Sequence, residues 1–100
     1  MSPGIFDLPE VYRSDVERAV RILKAGGCRE VYVFGSVASG QSDSRSDIDL
    51  AIRGCPQGEF FNLLGKLIME LEHAVDLVDL DNEPRLANFL ENETRMIHVG

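Results

Sequence analysis

Three short strand-forming runs alternate with stretches of helical period, and this alternation restricts the chain to an α/β architecture. Val31-Tyr32-Val33-Phe34 is β-branched and aromatic throughout, as in a buried strand. Asp47 to Ile52 alternates polar and apolar residues, and Ala74 to Leu80 forms a third run. Before the first strand, Val16, Ala19, Val20 and Leu23 mark one face of a helix over Ser14 to Lys24. Ser14 and Glu17 form a capping box expected to start it, and Gly26-Gly27 stop it. Phe60, Phe61, Leu64, Leu67, Ile68 and Leu71 predict a second helix through about residue 72. Asp81-Asn82 are expected to cap a third helix, whose first turn accepts Pro84 and which carries Leu86, Phe89 and Leu90. Met96 to Val99 reads as a short final strand. The Ser-rich stretch from Ser36 to Ser46 reads as a loop, opening with one helical turn. The order is therefore α-β-(loop)-β-α-β-α, then the short strand, with helices covering a central sheet. The second and third strands are joined through a helix, a connection that usually links parallel strands.

One hundred residues without a dividing linker make one domain, residues 1–100. With 44% hydrophobic residues it should fold, and no apolar run is long enough to cross a membrane. No secretory signal is visible at the N-terminus, so a soluble cytoplasmic protein is expected. Ten Lys and Arg against 17 Asp and Glu give a net charge of −7. Gripping a long polyanion relies on Lys and Arg neutralising phosphates, so stand-alone nucleic-acid binding is not expected. Such a chain handles a nucleotide only with a cation to mediate. Cys28 and Cys55 fit neither CxxC spacing nor a dense disulfide framework, and two free thiols are expected. His73 and His98 are isolated, so no zinc site is expected.

The chemistry-bearing segment runs from Gly35 to Ile52. Residues two apart on a strand share a face, so Asp47 and Asp49 emerge side by side while Ile48, Leu50 and Ile52 enter the core. Two adjacent carboxylates repel, and a divalent cation offsets that cost. Gly35 ends a buried strand where the backbone must turn sharply and a ligand can come close. The N–H groups of the next turn favour phosphate, and Ser36 adds a hydroxyl.

Gly-Ser, ten residues, then Asp-x-Asp is similar to the signature of the DNA polymerase β-like nucleotidyltransferase superfamily. Gly35-Ser36-Val37-Ala38-Ser39-Gly40 followed by Ser46-Asp47-Ile48-Asp49-Leu50-Ala51-Ile52 resembles its small branch, the minimal nucleotidyltransferases. The resemblance implies a nucleotidyltransferase fold with a mixed sheet, ATP or another nucleoside triphosphate as donor, and two Mg²⁺ ions, with Mn²⁺ as a substitute. Gly35, Ser36 and Ser39 would lie at the nucleotide, and Asp47 and Asp49 would hold metal. A third carboxylate is implied on a later strand. Asp76 and Asp79 both qualify by type, and in a regular strand they face opposite sides. Parallel pairing brings Asp76 toward the Asp47 end, and the family's hydrophobic-Asp-hydrophobic pattern matches it too.

Many family members carry Arg where this chain has Ser39, which removes a cation from the triphosphate site. Arg45, Arg53 and Lys66 are candidates to replace it. The resemblance further implies transfer of AMP to an acceptor hydroxyl, as the antitoxin of a HEPN/MNT pair that modifies its helical toxin. A second copy of the chain could also complete the acceptor site. The competing expectations are a catalytically weak antitoxin that acts by binding alone and an antibiotic nucleotidyltransferase.

Overall fold

The first helix begins a turn before its predicted capping box. The computed structural model describes residues 4–40 and 47–100. In it α1 spans Glu10–Ala25 and its N-cap residue is Pro9. Ser14 and Glu17 therefore lie inside the helix and do not start it. The extra turn buries Tyr12 completely, and a 3₁₀ turn at Ile5–Asp7 adds Ile5 to the same core. At the other end the Cys28 N–H donates to the Leu23 carbonyl across Gly26-Gly27, as the two glycines predict.

The remaining elements follow the expected order: β1 (Glu30–Phe34), α2 (Gly35–Ser39), β2 (Ile48–Arg53), α3 (Phe60–Glu70), β3 (Val75–Asp79), α4 (Pro84–Glu93) and β4 (Ile97–His98). The loop expected over residues 41–46 lies outside the described residues. The sheet order is β3-β2-β1-β4. β1 pairs antiparallel with β2 and with β4, whereas β2 and β3 pair in parallel, making the sheet mixed.

Side chains alternate across β2. Ile48, Leu50 and Ile52 join Val16, Leu23, Leu63 and Leu67 in one core, so α1 and α3 cover this face. Ala51 packs with Leu80, Ala87 and Leu90 in a second core under α4. Asp49, two residues from Ala51, shares the α4 side of the sheet.

Two expectations about α3 and α4 need correction. Phe61 and Ile68 are exposed at 81% and 61%, and Leu63 takes the buried position instead. A helix this rich in apolar residues has two plausible stripes, and only contact with α1 selects between them. Glu83, not Asp81 or Asn82, is the N-cap residue of α4, with Pro84 opening the helix as predicted.

Cys28 and Cys55 are not free thiols but are joined in a disulfide. Sequence separation hides the reason. In the antiparallel β1–β2 ladder Glu30 faces Arg53, and the same register continued two residues outward sets position 28 opposite position 55.

Candidate active site

β1 ends at Phe34, and Gly35 turns the chain with φ at +73°, in the left-handed region that favours glycine. The second reason for glycine is contact: a Cβ at Gly35 would collide with the Asp49 carboxylate. The motif's first glycine and its second aspartate thus touch across the β1–β2 ladder, where Phe34 is the register partner of Asp49. α2 follows at once. Val37 and Ala38 are buried, which fixes this short helix on the sheet and leaves Ser36 at its start. Ser39 is exposed, and its hydroxyl donates to the Ser36 carbonyl at 3.2 Å.

Asp47 stands one residue before β2 and is exposed, while Asp49 is half-buried within the strand. On the neighbouring parallel strand Asp76 is the direct register partner of Asp49. Asp79 pairs with Ile52, at the far end of the same ladder. Burial pushes the Asp49 carboxyl above its ordinary range, and the charges of Asp76 and then Asp47 push it further. Both neighbours therefore act on Asp49. Among the described residues, no three His, Cys, Asp or Glu side chains form a ready-made metal cage.

Mg²⁺ keeps several waters and takes one or two carboxylates plus substrate phosphates, without needing a dedicated protein cage. Hard oxygen donors, a carboxylate raised by burial and by its acidic neighbours, and a glycine cradle beside it suit such an ion.

Of the candidate replacements for a cation at Ser39, the two among the described residues do not gather here. Arg45 lies outside the described residues. Arg53 is at the far end of β2, paired with Glu91 of α4 and 3.9 Å from Glu30. Lys66 is exposed on α3, across the sheet. A cavity of about 550 Å³ also opens at the far end, lined by Ile52, Cys55, Phe60, Asp79 and Asp81 among others. Its acids are already bonded: Asp79 accepts from the Asp81 N–H and the Asn82 amide, and Asp81 accepts from the Gly54 N–H. The cavity lies at the opposite end of the β2–β3 ladder from Asp49 and Asp76.

One polar pair escaped the sequence reading. Asp15 is only 3% exposed, and its carboxylate accepts the His73 N–H at 2.8 Å and meets the His73 Nδ1 at the same distance. Burial raises its pKa, but the bonds from His73, helped by the Glu72 backbone, outweigh that and hold it below the ordinary value. The signal was an acid inside α1's apolar stripe, between Tyr12 and Ala19.

The polymerase β nucleotidyltransferase family model matches residues 17–98. The chain belongs to that family. As a member it is a nucleotidyltransferase, and the resemblance read from Gly35, Ser36, Asp47 and Asp49 is borne out. A solved minimal nucleotidyltransferase is 30% identical, with 86% of this chain and 92% of that one covered and a TM-score of 0.67. A chain of a toxin–antitoxin crystal structure with AMP-PNP is 26% identical, covering 80% and 69%, with a TM-score of 0.65. The fold is also shared, at 23% identity, 84% and 69% coverage and a TM-score of 0.60, by a complex from Shewanella oneidensis. That complex holds a tri-AMPylated HEPN toxin and an MNT antitoxin. No curated protein sequence matches the chain. Among the described residues, no helix is long and apolar enough to cross a membrane.

Proposed function

We propose that the chain transfers AMP from Mg²⁺-bound ATP to a hydroxyl of a helical HEPN-domain partner, as the cytoplasmic antitoxin of that pair. The observation that carries this reading is the Asp49–Asp76 register pair with Gly35 against the Asp49 carboxylate. Ser36 and the N–H groups opening α2 hold the β- and γ-phosphates. Asp47 and Asp49 would hold both metals, and Asp76 chiefly the catalytic one. Bound there, the ions would supply charge stabilisation for the attacking and leaving oxygens. Asp76 accepts the proton of the acceptor hydroxyl as its oxygen bonds to the α-phosphorus and pyrophosphate departs.

The exposed apolar side chains of α3, with Phe61 at 81% and Met69 at 84%, support a protein partner over a free small molecule. A protein acceptor would also exclude water, which otherwise competes for the nucleotide. The toxin–antitoxin relative with AMP-PNP supports both the donor and the partner class.

Mass spectrometry of a co-incubated HEPN partner with ATP and Mg²⁺ tests this. A nucleotide adduct on Tyr, Ser or Thr, lost in Asp47→Asn, is the expected result. The second reading, neutralisation by binding alone, draws on Ser39, whose hydroxyl turns back to the Ser36 carbonyl at the position where the family resemblance implies an Arg. Neutralisation without an adduct, equal in the mutant, would establish it.

A further inference from the structure

We propose that Asp15 and His73 form a buried clasp that sets the register of β3 on β2 and thereby holds Asp76 opposite Asp49. Among the described residues β3 is an edge strand whose only ladder neighbour is β2. Its sequence reads Val75-Asp76-Leu77 and then Val78-Asp79-Leu80, the same triplet twice. Sliding an ordinary strand by an odd number of residues exchanges its two faces, and the misplaced side chains oppose the slip. Here a slip of three returns Val, Asp and Leu to the places of Val75, Asp76 and Leu77, while Asp81 and Glu83 would take the places of Val78 and the buried Leu80, which opposes the slip from the far end. At the Asp49 end the strand's own side chains discriminate weakly between Asp76 and Asp79.

At the Asp49 end the discrimination comes from outside the repeat. The connection from α3 into β3 is anchored immediately upstream of it. The Asp15 carboxylate, from the middle of α1, takes both the backbone N–H and the Nδ1 of His73. The Tyr12 ring lies against the imidazole at 4.7 Å between centroids. One residue on, the Ala74 carbonyl accepts the Ile48 N–H at 2.8 Å, the bond that opens the parallel ladder. Asp15 is the one buried charged side chain among the described residues. A well-packed apolar pair would often be as stable or more so, and fixing register is the best-attested use of such a buried polar group. His73 has no counterpart before the second triplet, where Asp76-Leu77 precedes Val78, so the clasp engages in one register only.

Asp15 and His73 are thus positioning residues that act through Asp76. The joint action of Asp49 and Asp76 belongs to the function proposed above. Strand pairing is measured without it, so the two can fail separately. The test is NMR on the full chain carrying Asp15→Asn, which keeps the side chain's shape, and on His73→Phe, which keeps the stack on Tyr12. The expected result is a tenfold or greater loss of hydrogen-exchange protection at the Ile48 amide and a second set of cross-strand contacts linking Asp49 to Asp79. Protection at Val31 and Val33, on the β1 side, should stay as in the wild type. Unchanged Ile48 protection and Asp49–Asp76 contacts alone would overturn the proposal. So would a uniform loss across β1 and β2, or failure of Asp15→Asn to fold, since either makes the pair a source of general stability. Should only His73→Phe fail to fold, Asp15→Asn decides.

Discussion

The two ends of the β2–β3 ladder carry the same residue type in opposite circumstances. At the far end, Asp79 accepts the Asp81 N–H at 3.0 Å and the Asn82 amide at 2.6 Å, and Asp81 accepts the Gly54 N–H at 2.6 Å. These acids are tied to the turn they sit in. At the near end, Asp49 faces Asp76, with Asp47 close by, and its charged form is disfavoured by burial and by both neighbours. An aspartate surrounded by donors serves structure, and one beside other acids is one that a cation would stabilise. The fold separates the roles by the length of one strand.

The largest expected effect strikes the near end. Asp47→Asn with Asp49→Asn should lower nucleotide transfer by on the order of 10²–10³-fold or more, the scale of losing a principal electrostatic contact. Calorimetry should show no Mg²⁺-dependent ATP binding in the double variant. Equal affinity with and without metal, in both proteins, would remove the contrast between the ends.

Next comes the disulfide, which clamps the far end. Replacing both cysteines, Cys28→Ala with Cys55→Ala, should cost about 3–4 kcal/mol by loop-closure entropy. Denaturant unfolding measures that loss, and transfer activity at low temperature should stay within about twofold. A large activity loss without unfolding would show that the two ends are coupled.

The single-carboxylate exchange gives a smaller but sharper contrast. Asp76→Asn should remove most transfer and leave stability nearly unchanged. Asp79→Asn should keep much of the activity and lose ~1–2 kcal/mol, because its carboxylate bonds weaken. Activity assays and urea midpoints on the same two proteins check this, and the reverse pattern would reassign the third carboxylate.

Much of this arrangement is legible in the sequence. The alternation in Asp47 to Ile52 set which β2 residues enter the core, and the helical crossover implied parallel pairing with β3. Together they pointed to Asp76 over Asp79 as the neighbour of Asp49, and the register agrees. What stayed hidden depends on contacts between distant segments. The Cys28–Cys55 bridge follows from the antiparallel register, which spacing alone does not reveal. Ser14–Glu17 fits the capping pattern, but burial of Tyr12 draws the helix start back to Glu10. His73 looked isolated because its partner, Asp15, lies on another element.

The smallest expected effects are in the pH dependence of stability, where two aspartates should show opposite signs. Asp49 has a raised pKa in the folded state, so its ionised form opposes folding. That penalty is absent below the unfolded value of 3.8 and complete above the folded pKa. Asp49→Asn should therefore be more stable than the wild type near neutral pH, and the gain should fade as the pH falls through this window. Asp15 has a lowered folded pKa, held there by His73. Its contribution is fully present above 3.8 and is lost as the pH falls through the folded value. Asp15→Asn should then be less stable than the wild type near neutral pH, with the deficit shrinking in acid. Denaturant midpoints measured from pH 7 down to about pH 3, without metal, read both differences. Added Mg²⁺ should act on one of them only. A cation at the near end offsets the repulsion on Asp49 and should cancel the advantage of Asp49→Asn, while the Asp15 deficit stays the same. If Mg²⁺ leaves both differences unmoved, the acids at the near end do not hold the ion.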